Sequence, residues 1–253
     1  MASLQALVAA VVLHINTPLN SSLHTVQQLT ANNHNFQNRL QTKPLSKQAL
    51  ESYLKSNGRL GEQLSFNLLR AAKLINSFKQ VAVNQSANEL RQVGLKKFVE
   101  KSLLSLQPQL IQLPAVTATI ELSCDASISI YCNANALSQV LENLMINSYQ
   151  HAFSGRTEGA IEIAIEEQED RLYMTYKDDG VGMSQPDLLQ LFEPFFSNSA
   201  DPEHCGLGAH LVYNLVTSSL QGSITVSSII GGGLCYQIEF PKTICYANPE
   251  LIS

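Results

Sequence analysis

The sequence has no tryptophan, and charged residues make up only 15% of its 253 positions. Low-complexity tracts are also missing, while 45% hydrophobic residues suffice for a core, so a folded chain of one or two domains is predicted. The longest apolar run, residues 6–13, is far shorter than the ~20 residues that cross a membrane, and no basic stretch precedes it as in a signal peptide. These absences predict a cytoplasmic protein, or the cytoplasmic portion of a larger one, without a membrane segment.

Basic residues are few as well. The chain carries 16 Lys and Arg against 21 Asp and Glu, a formal net charge of -5. Nucleic-acid binding requires clustered Lys and Arg to neutralise phosphates, and no such cluster is visible, so no nucleic-acid partner is predicted. The five cysteines form no Cys-x-x-Cys pair, which favours reduced thiols over a disulfide framework or a structural zinc site.

Two long stretches, residues 4–41 and 46–83, are predicted to be helices that form a hairpin domain over residues 1–83. Thr42-Lys43-Pro44 separates them as a turn. Apolar residues recur at spacings of three and four in both arms. They are Leu19, Leu23, Val26 and Leu29 in the first arm and Leu64, Leu68, Ala71, Ile75 and Phe78 in the second. Two helices cannot bury both stripes alone, so a homodimer with a four-helix bundle is predicted, the alternative being a monomer whose hairpin packs on its own C-terminal half.

The remainder is predicted to be a linker (84–92), a second domain (93–243) and a tail (244–253). In the second domain, strand-like segments alternate with helical ones, which predicts an α/β sandwich with one sheet covered by helices on one face. The predicted strands are 117–122, 128–132, 160–166, 171–176, 223–227 and 235–240, and the predicted helices are 96–106, 135–153 and 209–219. The whole chain is therefore predicted to be of the α+β class.

Three polar residues stand four apart on the predicted helix 135–153: Asn143, Asn147 and His151. An α-helix places them on one face, where two amide oxygens and an imidazole can meet a metal ion and phosphate oxygens. Taken alone, the pattern equally fits an ordinary solvated helix face.

Glycine-rich turns follow. Asp178 precedes Gly180 and Gly182, so that a carboxylate can accept a hydrogen bond from an exocyclic amine while the glycines let the backbone approach a flat ring. Gly206-Leu207-Gly208 opens a predicted helix, whose free N–H groups suit an anion, and residues 231–233 are three more glycines. Each signal is weak alone, but their order along the chain is specific.

That order resembles the nucleotide-binding domain of sensor histidine kinases, within the wider ATPase family of heat-shock chaperones, type II topoisomerases and mismatch-repair proteins. The resemblance covers nearly the whole chain. Residues 143–151 match the N box, 178–182 the first glycine box, 206–208 the second and 231–233 the third. Residues 192–196, Phe-Glu-Pro-Phe-Phe, match the F box, and the hairpin is absent from the chaperones and topoisomerases.

The resemblance implies that ATP and Mg²⁺ bind to the second domain. Asn147 would coordinate Mg²⁺ beside Asn143, Asp178 in the Gly180 and Gly182 box would hold the adenine amino group, and Gly206, Leu207 and Gly208 would receive the phosphates. His151 stands where the family often has a basic or polar residue, which implies a phosphate contact. Since residues 178–241 contain no Lys or Arg, modest ATP affinity with strong Mg²⁺ dependence is expected.

The first arm contains Leu13-His14-Ile15-Asn16-Thr17-Pro18-Leu19, which resembles the kinase H box with its register shifted by one. Leu13 occupies the phosphoacceptor position and His14 the following acidic one, and one residue is a rotation of about 100° on an α-helix. Either a helix distortion near Pro18 brings His14 into reach, or autophosphorylation is impaired while ATP binding persists. Asn16 and Thr17 match residues that orient water when the family dephosphorylates a partner.

The resemblance implies a catalytic core that autophosphorylates on histidine and passes the phosphoryl group to a response regulator receiver domain. One alternative is a nucleotide-binding pseudokinase, or a phosphatase-type partner of a response regulator, without efficient autophosphorylation. Another is a nucleotide hydrolase of the chaperone type, against which the hairpin argues.

Overall fold

The structure is a computed structural model that describes residues 4–42, 44, 46–83, 90–111, 116–197 and 206–244, without the side chains of residues 4–11, 73 and 76–83. The chain divides into two compact units, Met1–Gln80 and Val81–Ser253. The first unit is helical, and the second combines helices with two sheets, so the predicted α+β class is confirmed. None of the described helices has the length and apolar character needed to span a lipid bilayer.

The first unit is an antiparallel hairpin of α1 (Leu4–Thr42) and α2 (Lys47–Val83). The hydroxyl of Tyr53 donates a hydrogen bond to Asn33 Oδ1 at 2.8 Å, and the rings of Phe36 and Tyr53 stack with centroids 4.0 Å apart. Asn57 Nδ2 donates to the same Asn33 oxygen at 2.9 Å. Residues later in α1 thus contact residues earlier in α2, so the two helices are antiparallel, as a short connection requires.

The second unit contains the remaining helices and strands, interspersed along the chain. They are β1 (Leu90–Gly94), α3 (Leu95–Leu110), β2 (Thr117–Cys124), β3 (Ser129–Asn133), α4 (Ala134–Asn147), β4 (Glu158–Gln168), β5 (Arg171–Asp178), α5 (Gln185–Gln190), α6 (Gly208–Asn214), β6 (Ser223–Ile229) and β7 (Gly233–Pro241). Short π-helical turns, Ser148–Ala152 and Leu215–Ser219, extend α4 and α6.

Five strands form the main sheet in the order β2-β4-β5-β7-β6. β2 and β4 run parallel, and the other neighbours are antiparallel. β1 and β3 form a separate antiparallel pair. Alternate residues of the central strands are buried, as in Leu172, Met174 and Tyr176 of β5, which is the pattern of a sheet with one covered face.

Helices α3, α4 and α6 supply apolar side chains to the core. The face of α4 with Leu137, Leu141 and Leu144 is almost completely buried. α4 begins where Asn133 Oδ1 accepts hydrogen bonds from the N–H groups of Asn135 and Ala136, a side-chain cap that fixes the start of the helix. This anchors the helix that carries the polar residues of the candidate site.

Elements of the structure run past two of the predicted boundaries. Residues 90–92, assigned to the linker, lie in β1, while 84–89 are outside the described residues. Ile244, assigned to the tail, is fully buried, and its N–H donates to the carbonyl of Tyr131 at 2.9 Å. Hydrogen bonding to another strand, which local sequence does not reveal, decides both positions.

Candidate functional site

A buried carboxylate is the centre of the site. Asp178 ends β5 and is only 3% exposed. Its Oδ1 accepts hydrogen bonds from the N–H groups of Gly180 (3.0 Å) and Leu234 (3.2 Å), and its Oδ2 accepts one from the hydroxyl of Ser148 (3.1 Å). A carboxylate has about four lone-pair positions, so these three bonds leave one on Oδ2 for an external donor such as an exocyclic amine.

Burial raises the pKa of Asp178, and the hydrogen bonds from Gly180, Leu234 and Ser148 oppose that shift. A desolvated carboxylate that lacks one donor binds a neutral N–H group more strongly than an exposed carboxylate does, because water no longer competes. The site is therefore suited to a ligand that presents a hydrogen-bond donor.

The glycines of the turn after β5 pack against other parts of the protein. A Cβ on Gly180 would lie 2.4 Å from Cβ of Ala152, and one on Gly182, where φ is +70°, would lie 2.1 Å from the carbonyl oxygen of Ile229. From the sequence, these glycines are predicted to let the backbone approach a flat ring. The structure adds that this turn must fit between the π-helical turn and the β6–β7 hairpin.

Asn143 and Asn147 direct amide oxygens toward the start of α6. Asn143 Nδ2 donates to the carbonyl of Gln139 at 2.8 Å, which fixes the orientation of that amide. A Cβ on Gly208 would lie 3.1 Å from Asn147 Oδ1 and 3.5 Å from Asn143 Oδ1. Two elements that are far apart in sequence thus meet, and the carboxamide oxygens fit a hard cation such as Mg²⁺, which takes oxygen ligands.

The other members of the second glycine turn lie beside the F box. Leu207 is buried, and its carbonyl accepts the N–H of Leu211 at 2.9 Å. A Cβ on Gly206, where φ is +62°, would lie 2.5 Å from the carbonyl oxygen of Phe196. Nδ1 of His210 lies 2.9 Å from the carbonyl oxygen of Phe192, so Nδ1 carries the proton. The F box and the Gly206–Gly208 turn are therefore joined directly.

The polar residues predicted to share one helix face, Asn143, Asn147 and His151, lie on two kinds of helical turn. The α-helix ends at Asn147, and His151 lies in a π-helical turn closed by a hydrogen bond from the N–H of Phe153 to the carbonyl of Ser148. Since a π-helical turn contains more residues than an α-helical one, a spacing of four still returns close to the same face, and the phosphate contact of His151 stays a prediction.

Sequence reasoning missed two contacts of the site. Ser148, which follows Asn147, faces Asp178 from inside the core. Arg156 forms an exposed ion pair with Asp179, at 2.9 Å, in the turn that follows Asp178. No periodicity or motif marks Ser148, because the π-helical turn decides where its side chain points.

The shifted histidine lies on α1 within electrostatic reach of Arg70 on α2. His14 is partly buried, and this burial lowers its pKa. The positive charge of the nearby Arg70 guanidinium lowers the pKa of His14 further, as the smaller of the two causes. Leu13, at the usual acceptor position, is 67% exposed. Asn16 and Thr17 are exposed, and α1 continues as one helix through Pro18, with the Thr17 hydroxyl bonded to the carbonyl of Leu13 at 3.1 Å.

Comparison with known proteins agrees with this architecture. Residues 132–244 match the family described as histidine kinase-, DNA gyrase B-, and HSP90-like ATPase. Over 116 residues the chain is 34% identical to sporulation kinase A of Bacillus subtilis, covering 45% of this chain and 18% of that protein. Over 153 residues it is 34% identical to sensor histidine kinase ZraS of Klebsiella oxytoca, covering 59% and 31%. The chain thus spans less than a third of these curated relatives.

A solved structure shares the fold of both parts of the chain. Histidine kinase ThkA, in complex with response regulator protein TrrA, matches with a TM-score of 0.59 and 17% sequence identity, covering 94% of this chain and 61% of that one. Residues 132–244 are therefore similar in sequence to the histidine kinase-, DNA gyrase B-, and HSP90-like ATPase family, and the chain shares the fold of the ThkA histidine kinase chain.

Proposed function

We propose that this chain is the catalytic core of a two-component sensor kinase and that its second unit binds ATP with Mg²⁺. Asp178 carries the proposal, because its free Oδ2 position fits the adenine 6-amino group. Asn147, with Asn143, would hold Mg²⁺, and the N–H groups of Gly206, Leu207 and Gly208 would receive the phosphates. Catalysis in phosphoryl transfer is mostly positioning and charge neutralisation.

The partner that we infer is a response regulator receiver domain. ThkA was solved in complex with such a regulator, and its fold matches nearly all of this chain. Asn16 and Thr17 are exposed on α1, where a receiver aspartate and a water molecule can reach them.

We further propose that autophosphorylation is impaired and that the chain works mainly through nucleotide binding and its receiver partner. The observation that favours this second function is the contrast between exposed Leu13 and half-buried His14 beside Arg70. No acidic residue adjoins His14 in sequence to take its proton.

The double substitution Leu13→His with His14→Glu is expected to increase histidine labelling roughly tenfold or more. It places a histidine at the usual acceptor position, and misplacement of a reacting atom by about an ångström lowers the reaction rate by orders of magnitude. The new Glu would also face Arg70, an opposite charge. The measurement is incorporation of γ-labelled phosphate that is acid-labile and alkali-stable. Leu13→Ala with His14→Glu is the matched control and should give none. Strong wild-type labelling that disappears in His14→Gln would show instead that His14 is a working acceptor.

We also propose that the hairpin dimerises with a second copy of the chain. Large apolar residues remain exposed along it, among them Val12, Leu23 and Val26 on α1 and Leu54 and Leu69 on α2. Leu23 is 63% exposed and Leu69 equally so, which a soluble helix pair does not favour without a partner. The side chain of Phe78, the last residue of the predicted stripe, lies outside the described residues.

Leu23→Lys is expected to weaken self-association by roughly 100-fold or more, because a charge would have to be buried in the bundle core. Sedimentation analysis at micromolar concentration measures this, with the wild type at twice the chain mass. Gln28→Lys adds the same charge about 140° round the helix and should remain dimeric. A monomeric wild type would show that the stripes have another partner.

A further inference from the structure

Three buried polar groups form a chain behind the candidate nucleotide site. The hydroxyl oxygens of Tyr176 and Ser148 are 2.9 Å apart, and Ser148 Oγ is 3.1 Å from Asp178 Oδ2. Tyr176 is completely buried, and Ser148 and Asp178 are each 3% exposed. Tyr176 and Asp178 lie two apart on β5 and share its covered face, while Ser148 begins the π-helical turn after α4.

Proton counting fixes the direction of these hydrogen bonds. Three donors point at the Asp178 carboxylate, which accepts on both oxygens. Ser148 has a single hydroxyl hydrogen and gives it to Oδ2, so the short contact with Tyr176 requires the phenol to donate to Ser148 Oγ. The sulfur of Met145, 3.6 Å from the phenol oxygen, is a weaker acceptor.

The two carboxylate oxygens are held in different ways. Oδ1 is fixed by backbone N–H groups of Gly180 and Leu234, which the fold supplies whatever the side chains are. Oδ2 is fixed by one side chain, Ser148, which is itself oriented by Tyr176. The oxygen that has a position left for a ligand is therefore the one that depends on this relay.

We propose that Ser148, oriented by Tyr176, is a positioning residue that holds Asp178 Oδ2 ready for the amino group of a 6-aminopurine and so makes the site selective for adenine. This inference rests on the proposed ATP binding. Without the Ser148 hydroxyl, Oδ2 loses its fixed donor, and the phenol of Tyr176 keeps only the weaker acceptor, the Met145 sulfur.

The test compares two nucleotides in titrations of the full chain with Mg²⁺: ATP, and purine riboside triphosphate, which lacks the 6-amino group. Ser148→Ala is expected to weaken ATP binding roughly tenfold, the size of one hydrogen bond to a charged group, and to leave the analogue unchanged. Tyr176→Phe, which keeps the ring packing, should weaken ATP binding about two- to threefold and also spare the analogue. Ser102→Ala removes a buried hydroxyl from α3 that makes none of these hydrogen bonds, and should change neither affinity.

The outcomes separate the two proposals. If the wild type binds ATP but Ser148→Ala binds it as tightly, or loses both nucleotides equally, the positioning role is overturned while ATP binding stands. Should Ser148→Ala fail to fold, the same comparison with Tyr176→Phe decides in the same way. If the wild type binds neither nucleotide, the proposed function fails, and the positioning role fails with it.

Discussion

Asp178→Asn is expected to lower ATP affinity by roughly 100-fold or more while leaving the second unit folded, because a site built around one buried hydrogen bond rejects a mismatched partner strongly. The Asn oxygen can still accept from Gly180 and Leu234, and its NH₂ group can face Ser148. That NH₂ group then occupies the place of the acceptor, so a donor faces the adenine amino group. Titration with Mg²⁺-ATP measures the loss.

Stability should change in the opposite direction to binding. Because burial raises the pKa of Asp178, the folded state binds the carboxyl proton of Asp178 more tightly than the unfolded state does. The resulting stabilisation is complete below the ordinary aspartate pKa and is lost as pH rises through the raised one. At neutral pH the ionised carboxylate therefore costs stability, and Asp178→Asn should unfold at an equal or higher urea concentration than the wild type. The advantage should vanish in acid.

Asp179→Asn provides the matched control. Asp179 is the next residue, but its side chain is 46% exposed and bonded to Arg156. The same chemical change there should leave ATP affinity within about threefold, because exposed ion pairs contribute little. Equal loss of ATP binding in both variants would contradict the role of Asp178.

Gly233→Ala is expected to destabilise the second unit by about 2–5 kcal/mol, from left-handed backbone strain plus overpacking. At Gly233 φ is +85°, and a Cβ would lie 1.9 Å from the backbone oxygen of Asp178 and 2.8 Å from its Oδ1. β5 and β7 would have to separate at the point where Leu234 bonds to Asp178, so nucleotide binding should fail as well. Urea denaturation followed by tyrosine fluorescence measures the change.

Gly231→Ala separates the two causes. Gly231 also has a positive φ, +75°, but nothing lies within 4 Å of the position that its Cβ would take. Only the backbone strain applies, so a loss of about 1–2 kcal/mol is expected, with ATP binding retained. If both substitutions destabilise equally, steric conflict with Asp178 is not what requires glycine at 233.

Periodicity predicted the large elements because each has a strong local pattern. α1 and α2 have stripes over many turns, and β4, β5 and β7 alternate along a half-buried sheet. β1 has one buried residue, Val93, and α5 has six residues, so neither is long enough to show a period. Both exist because other parts of the fold pair with them or pack on them.

The sequence by itself determined the hairpin, the α/β class of the second unit and the order of the polar and glycine-rich segments, since these depend on residues close together in the chain. Only the tertiary structure decided which atoms meet. Ser148 and Asp178 are 30 positions apart, and Leu234 is 56 positions beyond Asp178. Their contact depends on a π-helical turn and on strand register, which are set by packing of the whole unit rather than by any local pattern.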